Sequence, residues 1–503
     1  MVARVGTFAF NGIEAIDIDV QCQIAAGMPN FFVVGLPDKT VAESRERIRA
    51  AFASLGLSFP YQRVVVNLSP ADINKEGSHF DLPIILSLLT AMKILPQERI
   101  SEYYCMGEIS LDGSIIGVSG VLPAAIAAAA SGKGFICPDE NAQEALWASS
   151  DLEILPAKHV LDILNHFKER QILSRPVLET KPEQINYPDF KDVKGQEIAK
   201  RAAEISASGG HNMLMVGPPG SGKSMIASRI PGIMPDLSSK DILETSMIYS
   251  VAGNLRGGKL ITTRPYRSPH HNASMPAMIG GGTKAKPGEI SLAHNGILFL
   301  DELPEFTRQV IDSLRQPIET GDVTVSRVKA HVTYPANFQL VGAMNPCKCG
   351  YLSDPSRCCS KAPKCASEYQ MKLSGPLLDR IDIHVEVPAQ NPMEAYNKKD
   401  SESSASIRRR VLMACEIQRE RFKNSETKSN SEIEGEALEK FCIMEESARE
   451  IFEKGVEMLR LSMRGHARVL RVARTIADMD NSEIIAKKHI SEALSYRQIN
   501  YAR

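Results

Sequence analysis

The sequence predicts an α/β fold. A core with a parallel sheet and a helical lid follows a smaller α+β domain, and three observations point there. Asn212-Met213-Leu214-Met215-Val216 reads as a short strand, and Gly217-Pro218-Pro219-Gly220-Ser221-Gly222-Lys223-Ser224 after it matches G-x-x-x-x-G-K-[ST] at every defined position, opening a helix. Gly296-Ile297-Leu298-Phe299-Leu300-Asp301-Glu302 is an apolar run ending in two carboxylates, as a strand buried on both faces would be. A third run, Gln339-Leu340-Val341-Gly342-Ala343-Met344, ends at Asn345.

The chemistry of these positions is specific. Gly217, Gly220 and Gly222 let the backbone bend so that successive N–H groups face phosphate oxygens, and the helix start adds its positive end. Lys223 would reach the β- and γ-phosphates, and Ser224 with Asp301 would hold Mg²⁺. Glu302 would polarise an attacking water as general base. Asn345 would contact the γ-phosphate or orient that water. ATP and Mg²⁺ are therefore the expected ligands.

Composition narrows the classes. The chain has 503 residues, 43% hydrophobic and 24% charged, with a net charge of −1. That is ordinary globular material of roughly two to four domains, not a protein that binds polyanions over its whole surface. No signal-peptide layout opens the chain. The longest apolar stretch, Leu82 to Leu95, carries Lys93 and is too short to span a bilayer, so a cytoplasmic location is expected and no membrane. Ten cysteines do not make a disulfide scaffold in a chain this long.

Taken in order, residues 1–165 alternate strands and helices. Strands are expected at Arg4–Phe10, Ala15–Val20, Asn30–Gly35 and Arg63–Leu68. Helices are expected at Thr40–Leu55, with Ala42, Ile48, Ala51 and Phe52 inward, at Asp81–Met92 and at Ala124–Ala130. Residues 166–188 read as a linker with Pro176, Pro182 and Pro188. The core is expected over 189–395, entered through Val193-Lys194-Gly195-Gln196 and a helix from Glu197 to Ala207. The lid is expected over 396–503, interrupted by a polar break at 423–435.

Gly35-Leu36-Pro37-Asp38, Glu43-Ser44-Arg45-Glu46-Arg47 and Asn67-Leu68-Ser69-Pro70-Ala71-Asp72 resemble the amino-terminal domain of the ComM/YifB family of magnesium-chelatase-like proteins. The resemblance implies a Lon-protease-like (S5 domain 2-like, ChlI) fold for that domain and an AAA+ P-loop ATPase for the core. The Lon-type nucleophile position falls on His79, with Ser78 one place off, and no lysine follows Gly120 before Lys133. A serine without a base stays an ordinary alcohol, so the domain is expected to be catalytically degenerate and His79 a packed or surface histidine. The resemblance extends to Asn345 as sensor 1 and to Ser374-Gly375-Pro376-Leu377-Leu378-Asp379-Arg380-Ile381-Asp382. There Arg380 is the candidate arginine finger, supplied in trans, or else pairs locally with Asp379 or Asp382. Arg464 matches the sensor-2 arginine, with Arg468 and Arg471 on the same helix face as runners-up. The alternative is a solvated basic face.

Two insertions stand apart. Between Arg256 and Gly288 lie Arg256, Lys259, Arg264, Arg267, Lys284 and Lys286, with His270 and His271 and no acid. A hairpin at 321–335 carries Arg327 and Lys329 near its tip. Arg264, Arg267, Arg327 and Lys329 are candidates for contact with a DNA backbone; a solvated loop is the alternative. Cys347, Cys349, Cys358, Cys359 and Cys365 offer five ligands where a zinc site needs four, or are reduced thiols in a loop.

The resemblance implies a ring-forming, hexameric ATPase acting on single-stranded or branched DNA, a branch-migration helicase of natural transformation and recombination. Two rivals stand beside it. One is a magnesium-chelatase-type metal-insertion motor, against which the chain shows no acidic integrin-like region. The other is a protease-linked remodeller, against which it lacks the dyad.

Overall fold

The computed structural model describes residues 2–178, 187–282, 285–326, 331–352, 359–390, 401–425 and 427–497. The first sheet has seven strands. They are β1 (Val2–Asn11), β2 (Glu14–Ala25), β3 (Asn30–Val34), β4 (Arg63–Ser69), β5 (Tyr103–Cys105), β6 (Gly134–Pro138) and β7 (Ile154–Ala157), in the order β3-β4-β2-β1-β5-β6-β7. β2 pairs antiparallel with β1 and β4, and every other neighbour is parallel. Such mixing suits an α+β unit.

Helix α1 (Lys39–Ser54) starts where Asp38 accepts the Val41 N–H at 2.7 Å, an N-cap. It buries Val41, Ser44, Ile48, Ala51 and Phe52. Val41 takes the inward place expected for Ala42, because positions 41, 44, 48 and 51 share one face of a 3.6-residue helix. Helix α2 (Asp81–Ala91) is buried along its whole length apart from its final residue, which accounts for the apolar stretch: it is a core helix. A polar knot joins the two. Asp81 accepts Arg47 Nε at 2.6 Å, Arg47 Nη2 at 2.9 Å, the Ser44 hydroxyl and the Ile109 N–H. The Glu-Ser-Arg-Glu-Arg segment therefore carries a fold-holding ion pair. Ser78 donates to the Glu108 carboxylate, and His79 is buried with Nε2 2.9 Å from the Phe8 carbonyl oxygen.

The second sheet consists of β8 (Met213–Val216), β9 (Tyr266–Arg267), β10 (Ile297–Leu300), β13 (Gln339–Met344) and β14 (Ile383–Glu386). It runs β9-β10-β13-β8-β14 with every pair parallel. Every residue of β8, β10 and β13 is buried, matching the unbroken apolar runs. β11 (Asp322–Ser326) and β12 (His331–Pro335) form the hairpin, whose tip residues, Arg327 and Lys329 among them, lie outside the described residues. Around the sheet stand α4 (Glu197–Gly209), α5 (Lys223–Ala227), α6 (Ser239–Ala252), α7 (Arg315–Thr320) and α8 (Lys364–Gln370), while α3 (Val121–Ala130) packs on the first sheet and against α6. The lid adds α9 (Ser404–Phe422), α10 (Glu446–Leu459), α11 (Met463–Met479) and α12 (Lys487–Ser495). The expected polar break at 423–435 is pinned instead. Asn430 is fully buried, its N–H donates to Gln418 Oε1 at 2.9 Å and its Nδ2 to Asp478 at 2.7 Å. A buried carboxylate at 478 needs those donors.

The first unit docks on the core. The buried Glu144 carboxylate accepts the Ser250 hydroxyl and the Leu122 N–H, and Trp147 Nε1 donates to the Gly258 carbonyl at 2.8 Å. Gly12, at φ +66°, turns against β12 so closely that a Cβ would stand 2.3 Å from the Thr333 carbonyl oxygen.

Asp81→Ala leaves Arg47, Ser44 and the Ile109 amide without their acceptor. It should cost about 3 kcal/mol, as removing one partner of a buried pair does. Urea unfolding followed by circular dichroism would show the transition of the amino-terminal unit at lower urea.

Candidate nucleotide-binding site

The site grows from the carboxyl ends of β8, β10 and β13. Gly217 donates its N–H to the Met344 carbonyl at 3.2 Å. A Cβ there would lie 2.0 Å from the Val387 carbonyl oxygen, so only glycine passes. Gly220 and Gly222 sit at φ +75° and +92°, the left-handed region that glycine tolerates without cost. The chain then enters α5 at Lys223. The Lys223 amine donates to the Gly217 and Pro218 carbonyls at 2.7 and 2.9 Å and to Asn345 Oδ1 at 3.3 Å. Burial lowers its pKa, against the charges of Asp301 and Glu302. The Ser224 hydroxyl donates to Asp301 Oδ2 at 2.8 Å. Two hard oxygen donors at that spacing fit a magnesium ion.

Two sets of contacts could not be read from spacing. Gln196, at φ +58°, donates from Nε2 to the Ser221 and Pro388 carbonyls at 3.1 and 2.7 Å, tying its turn to the loop. Glu302 also has a left-handed backbone, at φ +50°. Its carboxylate lies 3.4 Å from His271 Nδ1, and the His271 ring lies tilted against that of His270. One member of the His-His pair in the basic insertion, His271, thus meets the expected general base. Local strain of this kind gathers at functional sites.

Gly217 to Ser224, Asp301, Glu302 and Asn345 come together; Arg380 and Arg464 stand elsewhere. Asn212, just before β8, donates Nδ2 to the Arg380 carbonyl. Arg380 therefore lies at the amino ends of the strands, roughly 16 Å from the loop at about 3.3 Å per residue. Its guanidinium is buried, donates to the Pro376 carbonyl at 2.6 Å and pairs with Glu319 of α7 at 2.6 Å. Neither Asp379 nor Asp382 is its partner in these contacts. Arg464 is 61% exposed and sits 4.0 Å from the same Glu319 oxygen. Of the runners-up, Arg468 pairs with buried Asp382 at 2.6 Å, and Arg471 holds the Ile433 carbonyl at 2.6 Å and Glu434 at 3.0 Å. Arg468 thus ties the lid to the core, and Arg471 is engaged within the lid.

Two DNA-contact expectations need correction. Arg264 is not free: its guanidinium donates to the Pro235 and Asn295 carbonyls at 2.6 and 2.7 Å, and burial lowers its pKa. Arg267 forms a two-pronged pair with Glu289 at 2.7 and 2.6 Å. Lys286 likewise donates to the Ala252 carbonyl at 3.1 Å. Glu289, just beyond the counted window, and backbone carbonyls thus engage three cations of what reads as a basic stretch. Among the cysteines, Cys347, Cys349 and Cys365 converge and Cys359 touches Cys365, while Cys358 lies outside the described residues.

Similarity to known proteins covers most of the chain. The family described as magnesium chelatase, subunit ChlI, matches residues 189–395; subunit ChlI of Mg-chelatase matches 20–141; and the ChlI C-terminal family matches 401–497. The chain is 42% identical to YifB of Salmonella typhimurium and 40% identical to competence protein ComM of Haemophilus influenzae, in each case over 99% of this chain and 97% of the relative. The magnesium-chelatase 38 kDa subunit of Rhodobacter capsulatus is 23% identical over 61% of this chain and 87% of its own.

The Asp382–Arg468 pair joins sheet and lid and yields a pH test. Burial opposes ionisation of Asp382, but Arg468 and the nearby His211 outweigh it and hold the carboxyl below its ordinary 3.8. Stability from this pair is complete above that value and drains as pH falls below it. Asp382→Asn should lose about 3 kcal/mol at pH 7 and show a flatter acid limb in melting temperature measured from pH 7 to pH 3.

Proposed function

We propose a function from the premise that the chain belongs to the ComM/YifB family of magnesium-chelatase-like AAA+ proteins: it is an ATP-driven ring motor that remodels DNA. The observation that carries the reading is the split of the site. The phosphate loop occupies one edge of the sheet, and Arg380 with Arg464 occupies the other. Stacked subunits in a ring bring the two edges together.

On this reading Gly217 to Ser224 cradle the phosphates of ATP, and Lys223 turns from its carbonyls to the β- and γ-oxygens. A magnesium ion held by Ser224 and Asp301 would neutralise charge on the transferring phosphate. Glu302 takes the proton of the attacking water, and Asn345 fixes that water's position. The partner subunit's Arg380 leaves Glu319 and meets the charge that develops on the γ-phosphate, while the partner subunit's Arg464 adds a second cation. Pairing with Glu319 meanwhile keeps Arg380 from lying buried without a counter-charge.

For the substrate, the relative named a competence protein matches nearly end to end, whereas the chelatase subunit matches over a shorter span at 23%. DNA is therefore favoured over metal insertion, and branched DNA is the form natural transformation presents. With Arg264 and Arg267 engaged internally, the hairpin tip with Arg327 and Lys329 is the contact element. The assembly is a hexamer in the cytoplasm; among the described residues no helix is long and apolar enough to cross a membrane. Cys347, Cys349, Cys359 and Cys365 hold a zinc ion.

A Glu302→Gln variant given ATP should hold labelled branched DNA in a stable complex, because its ring loads nucleotide but does not turn over. Wild type should release the DNA as ATP is consumed. Gel-shift and filter binding at low salt read the outcome, and a variant that retains no DNA of any form would contradict the DNA half of the proposal.

A further inference from the structure

Four cysteine sulfurs gather beside the phosphate loop. Cys347 Sγ lies 3.1 Å from Cys349 Sγ, and Cys359 Sγ lies 3.3 Å from Cys365 Sγ. The sulfurs of Cys347, Cys349 and Cys365 all fall within 4.8 Å of one another. Three sulfurs thus surround one point and Cys359 adjoins them through Cys365; four cysteine ligands are the donor set of a closed structural zinc site. Backbone N–H groups face the sulfurs as well: those of Tyr351 and Cys359 toward Cys349, and that of Gly350 toward Cys347. Amide donors of this kind orient metal ligands.

The location gives the cluster its consequence. Cys347 is two residues past Asn345, whose Oδ1 receives the Lys223 amine at 3.3 Å. The turn from Cys347 closes at Gly350, whose N–H donates to the Cys347 carbonyl at 2.9 Å. Gly350 sits at φ +83° and lies flat on the phosphate loop: a Cβ there would come within 2.5 Å of Pro219 Cδ. From the other side α8, which carries Cys365, sends Gln370 Nε2 to the Pro346 carbonyl at 2.8 Å. The two ligand-bearing segments thus grip Pro346 from both sides. One of them touches the phosphate loop, and the other meets it through the sulfurs and that hydrogen bond.

Resting on the zinc assignment above, we infer that the metal is a working part of the nucleotide site: it braces the Cys347–Gly350 turn against Pro219 and holds Asn345 on Lys223. Without the metal the Cys347 turn and α8 lose the cross-link between their sulfurs, and the entropy of closing the chain between them opposes the contact with Pro219. Nucleotide affinity then falls although no residue of the phosphate loop has changed.

The test uses the full chain, reduced throughout. Metal content is measured by plasma mass spectrometry, and Zn²⁺ is replaced with Co²⁺ to look for thiolate-to-cobalt charge-transfer absorption. A fluorescent ADP analogue is then titrated in magnesium buffer before metal removal with phenanthroline, after it, and after Zn²⁺ is returned. We expect one metal per chain, a tetrathiolate cobalt spectrum, and roughly tenfold weaker ADP binding on removal, within the range that loss of support around a site produces. Added Zn²⁺ should restore affinity. Cys365→Ser should reproduce the metal-free affinity, and reversal by added Zn²⁺ in wild type separates bracing from misfolding. Chains without metal, or metal loss that leaves ADP affinity unchanged, would overturn the inference. Failure of the DNA reading would look different: the metal and ADP results would stand while DNA binding was absent.

Discussion

Strand direction is the constraint on which the rest of this structure depends. All five core strands run the same way, so every carboxyl end opens on one edge and every amino end on the other. Backbone N–H groups that can cradle phosphate occur where strands give way to helices at the carboxyl edge. Arg380 and Arg464 are carried to the amino edge, against Glu319. No rotamer crosses a buried sheet, so on the proposed reading cradle and arginines meet between subunits.

Much of the nucleotide site was legible because its chemistry demands residue types at fixed spacing. A loop that brings amides to phosphate needs glycines at left-handed positions, and Gly220 and Gly222 sit there. A strand buried on both faces needs an unbroken apolar run, and Ile297–Leu300 is one. What stayed hidden was contact across long sequence separations. Nothing in spacing ties His271 to Glu302, Gln196 to Pro388, or Glu319 to two arginines. Charge counting failed for the same reason: Arg264 found backbone carbonyls and Arg267 found Glu289, just beyond the acid-free window.

The amino-terminal unit shows how a family-like motif can belong to the fold rather than to chemistry. Ser44 and Arg47 converge on buried Asp81, and Ser78 and His79 are each engaged within the unit. The unit meets the core through Glu144 and Ser250 and through Gly12 against the hairpin strand. It therefore rests on the elements that carry the hairpin, and a shift in one bears on the other.

The central claim is that a complete site needs two subunits, and mixing tests it most directly. Lys223→Ala lacks the cradle's cation and Arg380→Ala lacks the finger, so each alone should be inactive. Mixed, they should show ATP hydrolysis that neither has alone, because an intact loop on one subunit meets an intact arginine on the next. A mixture as inactive as its components, with co-assembly verified, or an Arg380→Ala protein with full activity by itself, would contradict the account.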